Sequence, residues 1–198
     1  MQATASLADV FLREGHRVGL LIYGRARETT FPGYGKVQRQ RILRALARAR
    51  TGENLALENL GYLPTRFFPA RSQIVVVSPL HPNDLPVLVR LKALGYQVMV
   101  VSPDPIDFEA LELAARGDRA ARGDRTRRKD REVAAGGDIQ HAASIDLQLA
   151  TRVARVERAL LVRRLQRAGI QVVDWRVRRP LDGVLQAALG RAVRAAVR

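Results

Sequence analysis

Apolar and polar residues follow one another along this chain in short blocks typical of alternating helices and strands. The segment Ser6–Glu14 has apolar residues at helical spacing, and Gly15 supplies a helix stop. Arg17–Gly24 is a short, continuous apolar run, which predicts a strand buried on both faces. Glu28–Phe31 is predicted to be a short edge strand. The chain therefore begins with a helix followed by two strands.

The middle of the chain predicts an amphipathic helix and then a strand-helix-strand unit. Pro32–Gly35 has the composition of a turn, and Val37–Arg50 places apolar residues on one face and arginines on the other. Ile74–Val77 is an unbroken β-branched run, typical of a strand covered on both sides. A helix that stops at Gly95 follows it, and Gln97–Val101 is the next predicted strand.

The last third of the chain repeats this alternation. One helix ends at Gly169 and is striped by apolar residues: Leu149, Val153, Val156, Leu160 and Leu165. The strand Ile170–Trp175 follows, and a further helix begins at about Leu181. Because helices and strands alternate, we expect the α/β class, with a doubly wound, mostly parallel sheet and helices on both faces.

A segment of low complexity interrupts this pattern. Residues 1–110 and 146–198 are predicted to form one domain, because the chain length suits a single core. Residues 111–145 lie between these parts. Within them, Ala115–Ile139 repeats the sequence Ala-Arg-Gly-Asp-Arg and has almost no large apolar residue. Such a segment buries too little surface to offset its ordering entropy, so we expect a disordered or weakly helical insertion.

The composition gives the chain a strong positive charge. The 34 lysines and arginines exceed the 19 aspartates and glutamates, and the formal net charge is +15. Such a surface attracts polyanions, because neutralising phosphates releases counterions. The helix Val37–Arg50 offers the candidate residues for this contact: Arg39, Arg41, Arg44 and Arg48. Since arginines are dispersed through every segment, however, a general compositional bias explains the charge better than a dedicated nucleic-acid site does.

The residues that are absent also narrow the function classes. The chain has no cysteine, which excludes disulfides, thiolate metal sites and a cysteine nucleophile. No apolar run approaches the roughly 20 residues that a membrane-spanning helix needs, and the first residues lack the order of a signal peptide. We therefore predict a cytoplasmic chain with no membrane segment of its own.

No motif points to a catalytic centre or to a cofactor. Gly33–Lys36 resembles a phosphate loop only superficially, because Val37 stands where the Walker signature needs Ser or Thr. Asp104, Asp107 and Asp174 lie near predicted strand ends, where a carboxylate pair or a magnesium ligand is conceivable, but cap and loop aspartates are commoner. We expect no enzymatic activity, no metal site and no cofactor.

Several segments resemble the bacterial and archaeal family called domain of unknown function 58, a branch of the von Willebrand factor A-like fold. The segments are RVGLLIYG at Arg17–Gly24, FPGYGKVQRQRILRALA at Phe31–Ala47, IVVVSPL at Ile74–Leu80, LKALGYQVMVVSPDP at Leu91–Pro105, and ATRVARVERALLVRRLQRAGIQVVDWRVRRPL at Ala150–Leu181. The resemblance covers all but the insertion.

The resemblance implies a cation site that this chain lacks in part. Complete members hold a divalent cation through an Asp-x-Ser-x-Ser strand end, a downstream Thr and an Asp. Here no such strand precedes the first helix, and the third element reads Ser78-Pro79, without a carboxylate. Thr51 is a loose positional match for the middle ligand. The family's cation site, a metal-ion-dependent adhesion site, is therefore expected to be degenerate here and free of metal.

The missing strand would be the central one of the family's sheet, between Arg17–Tyr23 and Ile74–Val77. Its loss would leave two apolar strand edges unpaired. Two outcomes are expected: either these strands pair directly with each other, or the chain is a fragment or mis-started frame of a longer, membrane-anchored parent. We favour the second.

The resemblance implies a non-catalytic protein-binding module, with a MoxR-type AAA+ ATPase as partner in protein maturation or complex assembly. Its binding surface would be the strand ends near Gly24, Ser78 and Asp104. The alternative is non-specific binding to nucleic acid or another anionic surface through the arginine-rich helix. A hydrolase that uses strand-end aspartates and a metal ranks last.

Overall fold

The computed structural model describes residues 1–23, 28–49, 68–69, 72–109, 111, 137–181 and 183–184, and for 137–147 it describes the backbone alone. The elements are α1 (Gln2–Arg13), β1 (Val18–Ile22), β2 (Glu28–Gly33), α2 (Gly35–Arg48), β3 (Gln73–Val77), a 3₁₀ turn (Pro82–Asp84), α3 (Leu85–Ala93), β4 (Gln97–Pro103), α4 (Gly137–Arg167) and β5 (Gln171–Trp175). Most of the predicted insertion, residues 112–136, lies outside the described residues, and α4 begins before that predicted insertion ends.

A three-stranded parallel sheet, in the order β3-β4-β5, forms the centre of the fold. Met99 of β4 stands opposite Val75 on one side and Gln171 on the other. Both connections run through a helix, as parallel strands require, and the left-handed residues Gly95 and Gly169 end these helices with φ angles of 89° and 70°. The predicted α/β class, with helices packed beside a parallel sheet, is thus confirmed.

The first two strands form a separate sheet. β1 pairs antiparallel with β2, and neither strand hydrogen-bonds to β3. The prediction of one continuous sheet is therefore wrong for this part of the chain, and β1 and β3 do not close on each other. β1 is half-buried and its Gly19 is exposed, so it is not the strand buried on both faces that its apolar run predicted. Its apolar residues Val18, Leu20 and Ile22 instead pack against helices α1 and α2.

Helix α1 joins the two sheets because it contributes to two cores. Its Ala3 and Leu7 pack with Met99, Val101 and Val173 of the parallel sheet. Its Ala8 and Leu12 pack instead with α2 and with the apolar residues of β1. The other face of the parallel sheet is covered by α3 and α4. The parallel sheet thus has helical cover on both faces.

Gln38 fastens the β1–β2 hairpin to α2. Its side chain is buried, and its amide nitrogen donates to the carbonyl oxygens of Val18 and Phe31, each at 2.7 Å. These two carbonyls belong to different strands, so one amide group ties both to the helix. The close approach needs Gly33, because a Cβ there would lie 2.7 Å from the Gln38 amide oxygen.

Helix α4 has apolar residues on two opposite faces. Leu161 and Leu165 are buried against the parallel sheet and α3. Four other apolar residues are 49 % to 60 % exposed: Leu149, Val153, Val156 and Leu160. The prediction of a single stripe is therefore wrong, because Leu165 follows Leu160 by five positions, which turns it by about 140° around the helix.

Candidate functional site

The ends of the parallel strands bring two predicted binding residues to one edge. Ser78 follows β3, and Asp104 follows β4. Both side chains stabilise local turns: the Ser78 hydroxyl accepts a hydrogen bond from the Leu80 N–H at 3.3 Å, and the Asp104 carboxylate accepts one from the Ile106 N–H at 3.0 Å. Gly24, the third predicted residue, lies outside the described residues, as does Thr51.

The side chain of Arg158 crosses this edge and contacts the ends of all three strands. It donates to the carbonyl oxygen of Pro79 after β3 and to that of Ser102 in β4, both at 3.0 Å. It also forms an ion pair of 2.6 Å with Asp174 of β5. The register places Ser102 beside Asp174, so one guanidinium group reaches both. Open parallel sheets bind ligands at this edge, and here the chain's own arginine occupies it.

Two polar atoms at this edge have no partner among the described residues. They are the Ser102 hydroxyl, in a residue with no exposed surface, and the Arg158 Nε. The apolar stripe from Leu149 to Leu160 predicts the opposite face of α4 as the buried one, so Arg158 is not identified from the sequence. A weaker signal exists, because Arg158 lies on a second apolar face with Leu161 and Leu165. A cation on a buried helix face needs acceptors, and the strand ends provide them.

Acidic residues do not gather into a metal site in the part of the chain that the structure describes. No group of three or more histidine, aspartate or glutamate side chains there could hold a cation. Asp174 forms an ion pair with Arg158, and Asp104 accepts a backbone hydrogen bond from Ile106, in the helical residues 105–109 that follow it. These carboxylates therefore contribute to the structure of the strand ends.

A slot of about 680 Å³ separates the two sheets. Every residue from Arg17 to Tyr23 and from Ser72 to Pro79 lines it, whereas no residue of β2 or β4 does. Since successive side chains of a strand point to opposite faces, a lining of consecutive residues means that the strand edges border the slot. The slot therefore lies between one edge of β1 and one edge of β3, and neither edge pairs with another strand in the part of the chain that the structure describes.

The walls of the slot are mostly apolar. Leu7 and Phe11 of α1 line it from one side, and Phe68 and Leu91 line it from the side of α3. Arg17 is the one residue with a permanent charge that borders the slot among the described residues, and no carboxylate does. A mostly apolar segment with a negative charge near Arg17 matches this lining.

The predicted arginines of α2 differ in their contacts. Arg39 donates to Asp9 of α1 at 2.6 Å, which ties the two helices together. Arg41, Arg44 and Arg48 are exposed and form no hydrogen bond or ion pair with any described residue. Their spacing of three and four places them along one line of the helix. Three of the four predicted residues thus form a free cationic row.

The pair between Arg39 and Asp9 has an electrostatic consequence. The hydrogen bond from Arg39 holds the pKa of the Asp9 carboxyl below its usual range, with the nearby Arg13 adding to this effect. A lowered pKa in the folded state stabilises the fold above the ordinary aspartate pKa, and that contribution is lost as the pH falls through the lowered value. Because the guanidinium groups are largely exposed, solvent screening keeps the contribution small.

No helix among the described residues combines the length and the apolar character that a membrane crossing requires. Comparisons of the chain with protein-family models, with curated proteins and with solved structures returned no match. The resemblance to the domain of unknown function 58 family therefore rests on its sequence segments alone.

Proposed function

We propose that this chain is a non-catalytic protein-binding module that takes an extended segment of a partner protein into the slot between β1 and β3. The observation that carries the proposal is that two strand edges with no partner among the described strands border one mostly apolar slot. An extended segment placed there would continue both ladders and satisfy backbone groups on each edge. Strand addition of this kind takes its affinity from main-chain hydrogen bonds and its specificity from the pockets for alternate side chains.

The chemistry of the partner segment follows from the slot lining. β1 and β3 have five residues each, so the segment needs about five extended residues, or roughly 17 Å. Apolar β-branched side chains suit the walls, and acidic flanks suit Arg17 and the net charge of +15.

The family resemblance supports the same location. In the von Willebrand factor A-like sheet that it implies, a strand lies between the strands equivalent to β1 and β3. We propose a MoxR-type AAA+ ATPase as the partner, since that is the partner the resemblance suggests. If so, the ATPase and a strand-forming peptide compete for the slot.

Synthetic peptides test the slot directly. The probe is a peptide of about five valine and isoleucine residues with aspartates at both ends, studied by titration calorimetry and amide hydrogen exchange. We expect saturable binding and slower exchange in β1 and β3. Two control peptides are N-methylated at the odd or at the even residues. Each should bind at least about tenfold more weakly, because each loses its donors toward one strand edge.

Variants of α1 provide the matched control. Thr4 lines the slot, whereas Gln2 is exposed and does not. The substitution Thr4→Trp should fill part of the slot and weaken peptide binding at least about tenfold, and Gln2→Trp should leave it unchanged. If no peptide binds, or if both N-methylated peptides bind as well as the parent, the slot is not a strand-binding site.

Polyanion binding is a second candidate function, and the free cationic row of Arg41, Arg44 and Arg48 favours it. We expect double-stranded DNA to bind without sequence preference and with an affinity that falls steeply with salt. Changing all three arginines to glutamine should reduce the slope of log affinity against log salt by about two to three, because each phosphate contact contributes about 0.9. Fluorescence anisotropy at several salt concentrations measures this slope.

Arg39 serves as the control for this experiment, because Asp9 already neutralises it. Arg39→Gln should change the salt slope less than any one of the three free arginines does. An unchanged slope in the triple variant would exclude α2 as the contact surface and leave the positive charge as a general property of the composition.

A further inference from the structure

Helix α4 presents an apolar stripe to solvent on the side opposite the core. The stripe consists of Leu149, Val153, Val156 and Leu160, and each is about half exposed. At 100° per residue these four side chains fall within a sector of about 60°, whereas Leu161 and Leu165 point to the other side. An amphipathic helix of a monomeric domain needs only one apolar face, so this second face has no role inside the described part of the chain.

The spacing of the stripe is that of a coiled coil. Its intervals of four, three and four residues are a heptad repeat, with Val153 and Leu160 at a positions and Leu149 and Val156 at d positions. Asp146 and Arg163 hold the next positions of the repeat, so charges limit the stripe to about two heptads. A partner helix could insert its own a and d side chains between these four residues.

The flanking charges identify the partner as a second copy of the same chain. In the heptad, Arg152 is a g residue and Glu157 is the following e residue. Both are exposed, and neither has an ion pair with a described residue. In a parallel pair, the g residue of one helix meets the following e residue of the other. Two such helices would therefore form two symmetric Arg152–Glu157 ion pairs, one on each side of the stripe.

We propose that two copies of this chain associate through a parallel, two-stranded coiled coil formed by the exposed stripe of α4. A parallel arrangement is favoured because an antiparallel one would place Arg152 opposite Ala159 and Glu157 opposite Ala150 of the second copy, without attraction. The buried faces of the two helices, which carry Leu161 and Leu165, would then point away from each other. This inference does not depend on the proposed strand-binding slot.

Sedimentation equilibrium tests the association. The wild-type chain should shift from monomer to dimer with rising concentration, and Val156→Glu should raise the dissociation constant at least about 100-fold by placing like charges in a d layer. Gln148→Glu is the matched control, because it makes the same charge change on an exposed position outside the stripe. It should leave the dissociation constant within about threefold of the wild type.

Charge reversal tests the orientation. Arg152→Glu and Glu157→Arg should each weaken the dimer, and the double variant should restore it, because the reversed pairs attract again. The absence of native cysteine allows a second test. Val156→Cys should form an intermolecular disulfide on oxidation, since only parallel helices bring this residue to its own counterpart. A chain that stays monomeric at every concentration, or that dimerises equally with Val156→Glu, would overturn the proposal.

Discussion

The substitution Arg158→Met is expected to lower the free energy of unfolding by about 2–4 kcal/mol. Its guanidinium group donates to the Pro79 and Ser102 carbonyl oxygens and to the Asp174 carboxylate, and its side chain is only 11 % exposed. Methionine keeps the apolar volume but leaves these acceptors without their donor. Hydrogen bonds from a charged donor contribute about 1.5–3 kcal/mol, and the exposure of Asp174 reduces its share. Urea unfolding followed by circular dichroism measures the loss.

The control substitution is Arg155→Met, on the same helix. Arg155 is exposed and has no hydrogen bond or ion pair with the described residues, so its loss should change stability by less than about 0.5 kcal/mol. Arg158→Lys should recover only part of the loss, because one ammonium group does not reproduce the planar fork that spans three strand ends. Equal stabilities for Arg158→Met and Arg155→Met would show that Arg158 does not hold the strand ends together.

Arg158 shows why the sequence predicted only part of the strand-end edge. Ser78 and Asp104 could be placed at one edge because parallel strands separated by helices end on the same side. Neither residue indicates what occupies the edge. The side chain that occupies the edge belongs to Arg158, 54 positions beyond Asp104, and no local sequence pattern connects Arg158 with Asp104. The strand ends therefore offer a partner less free surface than their position in the sheet suggests.

The local elements could be predicted because short-range chemistry determines them. β3, β4 and β5 are unbroken or nearly unbroken apolar runs, and the helices between them stop at Gly95 and Gly169, whose left-handed backbone ends a helix. Each of these predicted strands differs from the observed one by no more than two residues at an end. The α/β class follows from their order, since a helix between two buried strands leads to a parallel pair.

Pairing between distant segments could not be predicted in the same way. The apolar run at Arg17–Gly24 gave no sign that β1 would pair only with β2, because an apolar strand fits equally well at a sheet centre or in a hairpin beside a helix. The slot is a consequence of that pairing. The resemblance implies a missing strand between these two segments, but only the structure shows that edges of β1 and β3 border a common cavity.

Alanine substitutions on the two faces of α4 are expected to differ strongly in their effect on stability. Leu165→Ala should lower the free energy of unfolding by about 2–5 kcal/mol, and Leu160→Ala by less than about 0.5 kcal/mol. Leu165 has no exposed surface and packs with Leu88, Leu91 and Ile170. Its truncation removes buried methyl groups and leaves a cavity in a close-packed core. Leu160 is 49 % exposed on the opposite face, so its truncation leaves no cavity in the monomer.

The two alanine variants should be compared by urea unfolding at a protein concentration at which the chain is monomeric. Under this condition Leu160→Ala is the control for Leu165→Ala, since both remove the same atoms from one helix. At higher concentration, where the proposed dimer forms, Leu160→Ala should weaken the dimer, whereas Leu165→Ala leaves the stripe intact. If Leu160→Ala destabilises the monomer as much as Leu165→Ala does, the stripe is buried within the chain, and no surface remains for a second copy.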